Sequence, residues 1–92
     1  MADLRELEKI ALQAQMSGRW QDAINAWLTL LEIEPRWELG YAHYHLADCY
    51  LRIGQVDQSE LAYRKALEFD PQDSMFTDAL ESFLNARRAG YI

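Results

Sequence analysis

Apolar residues recur along the chain every three or four positions, which is the spacing of one face of an α-helix. In the first segment, Leu4, Leu7, Ala11 and Ala14 follow this spacing. Four further segments show the same pattern, and a glycine or a proline separates consecutive segments. The five predicted helices cover residues 3–16, 21–33, 38–53, 57–69 and 73–89. No segment alternates apolar and polar residues as a strand does, so we expect an all-α fold.

Polar residues at the starts of these segments predict helix caps. Asp3 and Asp57 each precede an apolar-periodic segment and have a glutamate three residues later. Such a pair satisfies free amide groups in the first turn of a helix. We therefore expect both aspartates to be N-caps, and the fifth helix to begin at Asp73 or Ser74.

The chain also nearly repeats itself at an offset of 36 residues. Gly18 matches Gly54 and Pro35 matches Pro71, so that the proline follows the glycine by 17 positions in both copies. A fixed period of about 20 to 50 residues is typical of stacked helical units, each of which needs its neighbour to bury an apolar face. This organisation favours a binding scaffold over a catalyst.

The residues of the second copy resemble the tetratricopeptide repeat family. Its pattern consists of His43, Leu46, Ala47, Tyr50 and Gly54, then Ser59, Tyr63, Ala66 and Pro71. The first copy matches less closely. The resemblance implies a single domain over 1–92, formed as a right-handed α–α superhelix with two helix pairs, about 3–36 and 38–71, and a capping helix, about 73–89. The residues by which this period exceeds the usual family length fall after Pro35, near Trp37.

In that family the first helix of each pair lines a concave surface, so the resemblance implies a noncatalytic protein–protein interaction module. The residues expected on this surface are Glu8, Leu12, Met16, Tyr41, Tyr44, Asp48, Leu51 and Arg52. Tyr41, Tyr44, Asp48 and Leu51 also share one helical stripe by spacing alone. Two tyrosines and a leucine off the core side suit a contact surface. The alternative is that the fifth helix folds over Tyr44 and Leu51.

The charge of the chain restricts the partner. The formal net charge is −6, which disfavours nucleic acid and anionic membranes, since both select lysine and arginine. Some family members hold a partner's C-terminal carboxylate with basic and amide side chains. The corresponding positions here are Glu8, Leu12, Tyr44 and Asp48, and none of them is basic. We expect a basic or aromatic-containing segment of a partner protein instead.

His43, His45 and Cys49 are the one group of residues that suggests a metal site or an enzyme. A structural zinc ion takes four ligands, and Cys49 lies where a small buried residue is expected. We expect His43 to be partly buried and His45 to face solvent, with no catalytic residue, metal or cofactor. One cysteine permits no intramolecular disulfide, which favours a reducing compartment, and we expect a cytoplasmic protein.

Two other roles remain compatible with a short helical array. The chain could associate with a second copy through Leu4, Leu7 and Trp20 to form a homodimer. It could also act as a small chaperone for one partner protein. Trp27 is expected in the core, whereas Trp20 and Trp37 either contact a partner or pack against the turns.

Overall fold

The computed structural model describes residues 3–92, which form five α-helices and contain no strand. The helices are α1 (Leu4–Met16), α2 (Trp20–Ile33), α3 (Tyr41–Arg52), α4 (Val56–Phe69) and α5 (Ser74–Arg88). The all-α prediction is therefore confirmed. Within the same range, no helix is both long enough and apolar enough to span a bilayer.

Two of the predicted helix caps are present and one is wrong. The Asp3 carboxylate accepts a hydrogen bond from the backbone N–H of Arg5, and Asp73 caps α5 in the same way. Asp57 instead lies inside the first turn of α4, which begins at Val56. Its carboxylate accepts a hydrogen bond from the guanidinium of Arg87 and so links α4 to α5.

Small residues allow the two helices of each pair to pack closely. Ala11 and Ala23 are fully buried between α1 and α2, and Ala47 and Ser59 occupy the matching positions of α3 and α4. The Ser59 hydroxyl donates a 2.8 Å hydrogen bond to the carbonyl of Ala47. Because this bond satisfies the one buried polar side chain among the described core residues, it offsets the cost of burying the hydroxyl and links α3 to α4.

The core consists of two clusters. The first surrounds Trp27, which is fully buried as predicted, and joins α1, α2 and α3. The second joins α3, α4 and α5 around Tyr63 and Phe83, whose rings lie 5.5 Å apart. The fifth helix therefore covers an apolar surface that α3 and α4 would otherwise expose.

The connection between the two pairs contains a left-handed turn over Trp37–Gly40. Glu38 and Leu39 have φ values of +46° and +50°, and Gly40 has +99°. An L-residue in this conformation costs about 1–2 kcal/mol, so a right-handed helix cannot pass through these positions. The prediction that α3 begins at 38 is wrong for this reason. The longer connection does lie near Trp37, as the repeat spacing indicated.

Gly40 brings this turn into direct contact with α4 and α5. A β-carbon at Gly40 would lie 2.6 Å from the carbonyl oxygen of Ala66 and 3.1 Å from Cε2 of Phe76. The first of these neighbours is backbone, so it cannot move aside cheaply. Glycine is therefore required here both for its positive φ and for the close approach.

We expect Gly40→Ala to lower the free energy of unfolding by about 2 kcal/mol or more, because a strained φ and a backbone clash add together. Gly18→Ala is the matched control: Gly18 has φ +72°, but a β-carbon there would meet no atom within 4 Å. It should cost only about 1 kcal/mol. Urea denaturation followed by circular dichroism measures both values, and equal costs would contradict the close contact.

Candidate partner-binding face

Side chains of α1 and α3 meet around Gln15. The indole N–H of Trp27 donates a 2.6 Å hydrogen bond to Oε1 of Gln15, and Nε2 of Gln15 lies 3.2 Å from Nδ1 of His45. An indole can only donate, so Oε1 is the acceptor and the amide nitrogen donates to His45. The imidazole is consequently neutral, with its proton on Nε2.

His45 does not face solvent, and that expectation is wrong. Its ring stacks on Trp27 at 5.4 Å between centroids and is contacted edge-on by Tyr41 at 4.4 Å and by Tyr44 at 5.4 Å. Burial is the main reason why the pKa of His45 is lowered, against the raising effects of Asp48 and Glu8. These aromatic contacts fix Tyr41 and Tyr44 on the candidate face.

The fifth helix covers part of this face. Tyr44 stacks on Phe76 of α5 at 5.3 Å, and Leu51 packs against the second core cluster, which includes Phe83 of α5. Tyr44 and Leu51 are both half-buried. The fifth helix therefore folds over these two residues, as in the alternative that the sequence left open.

Glu8 is held by Trp37 and Arg5. The indole N–H of Trp37 donates a 3.1 Å hydrogen bond to Oε2 of Glu8, and the Arg5 guanidinium donates to Oε1 at 3.3 Å. Arg5 also pairs with Glu38 at 2.7 Å and lies 4.8 Å above the Trp37 ring. Trp37 thus packs against α1, and only 16% of the Glu8 side chain is exposed.

The remaining candidate residues differ in accessibility. Met16 is 88% exposed, whereas Leu12 is half-buried against the first core cluster. Asp48 and Arg52 form a 3.6 Å ion pair on α3, and Arg52 lies 5.2 Å from the ring centre of Trp20. Tyr41 is half-buried, and burial, followed by the charges of Glu8 and Glu38, raises its pKa.

The three residues of the metal hypothesis have separate environments. His43 stacks on Phe69 at 5.4 Å, and its pKa is lowered mainly by burial. The Cys49 thiol is fully buried, which raises its pKa to about 12. Between residues 3 and 92, no group of three or more histidine, cysteine or acidic side chains is arranged to hold a metal ion.

An open groove on another side of the molecule was not predicted. It has a volume of about 560 Å³ and lies between α2 and α4 with α3 beneath it. Leu28 of α2 and Leu61 of α4 line it, at 40% and 62% exposure. By its apolar character Leu61 suits the buried stripe of α4. The adjacent Ala62 takes that place. The positions 36 residues away from Leu28 and Leu61 are not leucines, so the repeat pattern gives no sign of the groove.

The family model of the tetratricopeptide repeat matches residues 40–73. The chain carries a domain of the tetratricopeptide repeat family. It is also similar to heat shock protein STI1 of Saccharomyces cerevisiae, with 30% identity over 71 residues, or 77% of this chain. That alignment spans 12% of the yeast protein, so the chain corresponds to a small part of this relative.

Tetratricopeptide repeat domains are in general noncatalytic modules that bind other proteins, and this general role applies to the chain. The matched repeat includes α3, which carries Tyr41, Tyr44, Asp48, Leu51 and Arg52. The match begins at the strained turn, at Gly40, and ends at the Asp73 cap of α5.

The lowered pKa values of His43 and His45 predict that the protein loses stability in mild acid. Their pKa values are lowered in the fold, whereas the unfolded rings take up protons below about pH 6.5. Stability is therefore complete above that pH and decreases as the pH falls from about 6.5 through the folded pKa. For one histidine, the free energy of unfolding can change by at most about 1.4 kcal/mol per pH unit.

His45→Phe tests this assignment because it keeps an aromatic ring against Trp27 but removes the titrating group. Unfolding free energies between pH 7.5 and pH 5 should decrease less steeply in this variant than in the wild type. The carboxylates are the same in both proteins, so the difference in slope isolates His45. Parallel curves would show that His45 does not titrate in the fold in this way.

Proposed function

We propose that this chain binds a short basic or aromatic-containing segment of a partner protein on the face formed by α1 and α3, without chemistry of its own. The proposed contacts are Glu8, Leu12, Met16, Tyr41, Tyr44, Asp48, Leu51 and Arg52. The proposal includes the predicted domain organisation, with a first repeat at about 3–36, a second at about 38–71 and a capping helix at about 73–89.

The observation that carries this proposal is the combination of fixed aromatic rings and carboxylates on one face. Tyr41 and Tyr44 are held against His45, so a partner can contact them without ordering them first. Glu8, Glu38 and Asp48 outnumber the two arginines with which they pair, Arg5 and Arg52. The face is therefore net acidic and complements a basic segment.

The packing of α5 narrows the accessible part of this face. Tyr44 and Leu51 are half-buried under α5, and Tyr41 is half-buried as well, which leaves Met16 and Arg52 as the most exposed of the proposed contacts. A surface of this size suits a segment of only a few residues. We expect dissociation constants of micromolar order for a single copy.

Charge reversal at Asp48 tests the proposal. Short basic peptides containing one aromatic residue, labelled with a fluorophore, should bind the wild type and bind Asp48→Lys about tenfold more weakly, because an attraction becomes a repulsion. Fluorescence anisotropy at low ionic strength measures the change. Acidic peptides of the same length should bind the wild type less tightly than the basic ones.

Asp22→Lys is the matched control. Asp22 is an exposed aspartate on α2 that pairs with a neighbouring arginine, Arg19, as Asp48 pairs with Arg52. Both variants change the net charge equally, so the control should retain most of the affinity. If both variants bound the basic peptide equally weakly, the overall charge of the chain would explain the loss of affinity. That result would count against this face.

A chaperone role for one partner protein is a second candidate, favoured by the similarity to a protein named as a heat shock protein. It requires one dominant protein to co-purify with the chain and to aggregate in its absence. A homodimer through Leu4, Leu7 and Trp20 has less support, because these side chains pack against the first core cluster. A cytoplasmic location is an expectation from the single cysteine.

A further inference from the structure

The groove between α2 and α4 is a second surface with properties unlike those of the α1–α3 face. Its floor is formed by three α3 residues, His43, Leu46 and Tyr50, which follow helical spacing. They extend for about 10 Å along the helix axis, or about two helical turns. Leu28 of α2 and Leu61 of α4 form the walls, so the larger part of the lining surface is apolar.

Both wall leucines expose a large part of their apolar side chains to solvent. Leu61 is 62% exposed and Leu28 is 40% exposed, and they stand on opposite sides of the groove. A second apolar helix placed between them would cover both at once. Aliphatic side chains on both sides of a two-turn floor suit a helix that lays its apolar face into a groove. The open side suits a helix better than an enclosed small molecule.

The rim of the groove indicates the charge of its occupant. Arg64, Lys65 and Glu68 are the charged lining residues, so cations outnumber anions here, whereas the whole chain carries −6. Arg64 pairs with Glu60, which also binds Arg87, and Lys65 pairs with Glu68. These are exposed pairs, of a kind that contributes little stability, and both cations remain about half exposed.

We propose that this groove binds an amphipathic helix of a partner protein, with leucine-type residues on one face and carboxylates beside them. The apolar face covers Leu28 and Leu61 and rests on Leu46. The carboxylates face Arg64 and Lys65. This surface is separate from the α1–α3 face, and its preference for acidic partners is opposite to the preference proposed there.

The probe for this proposal is an end-blocked helical peptide with leucines at positions i, i+3, i+4 and i+7 and glutamates flanking them. A counterpart carries lysine in place of every glutamate. Titration into isotopically labelled protein, followed by amide NMR shifts, maps where each peptide binds. The acidic peptide should shift the amide signals of groove residues in α2, α3 and α4, although the negative net charge of the chain repels it.

Leu61→Glu should weaken binding of the acidic peptide at least about tenfold, because it places a charge in an apolar wall. Lys65→Glu should weaken it by a smaller factor and reduce the salt dependence. Ile10→Glu is the matched control, since Ile10 is a 51% exposed aliphatic residue on α1, away from the groove. It should leave the affinity unchanged. Since Leu61 is mostly exposed, its variant should fold normally, and circular dichroism checks this.

Three results would overturn the proposal. The first is a groove that shows no shifts with millimolar acidic peptide. The second is a stronger response of the groove residues to the lysine peptide. The third is a wild-type dimer in sedimentation velocity that Leu61→Glu dissociates, which would make a second copy of this chain the occupant.

Discussion

The contact between Gly40 and Ala66 determines how the second half of the molecule is assembled. At this point the backbone that leads into α3 approaches the backbone of α4 too closely for any side chain, and Phe76 of α5 closes the third side. Three helices are therefore positioned relative to one another by one residue without a β-carbon. Together with the Tyr63–Phe83 packing, this contact holds α5 where it partly covers Tyr44 and Leu51.

Much of the fold could be predicted from the sequence because it depends on local patterns. Apolar spacing identified the helices, and the glycine and proline positions identified their ends. The small residues Ala11 and Ala47, which match at the 36-residue offset, are buried where the helices of each pair pack closely. Trp27 and Cys49 were correctly expected in the core, because both lie on the inward stripe of a helix with strong periodicity.

The errors occur where tertiary contacts decide the conformation. Asp57 has every local feature of an N-cap, but α4 begins one residue earlier and the carboxylate pairs with Arg87, 30 positions further along the chain. His45 was expected to face solvent, but its ring packs among Trp27, Tyr41 and Tyr44. The hydrogen bond from Gln15 and the stack on Trp27 compensate its burial, and neither is visible in a local pattern. The groove between Leu28 and Leu61 likewise depends on the distance between two helices that are not adjacent in sequence.

The burial of Cys49 gives the protein a chemical property of its own. With its pKa raised to about 12, the sulfur is almost entirely the unreactive thiol at neutral pH, and no solvent reaches it. Electrophiles and oxidants can modify it only when α3 separates from its neighbours. The rate at which a maleimide or a disulfide reagent labels this sulfur is therefore a direct measure of how often the native packing opens, without any engineered probe.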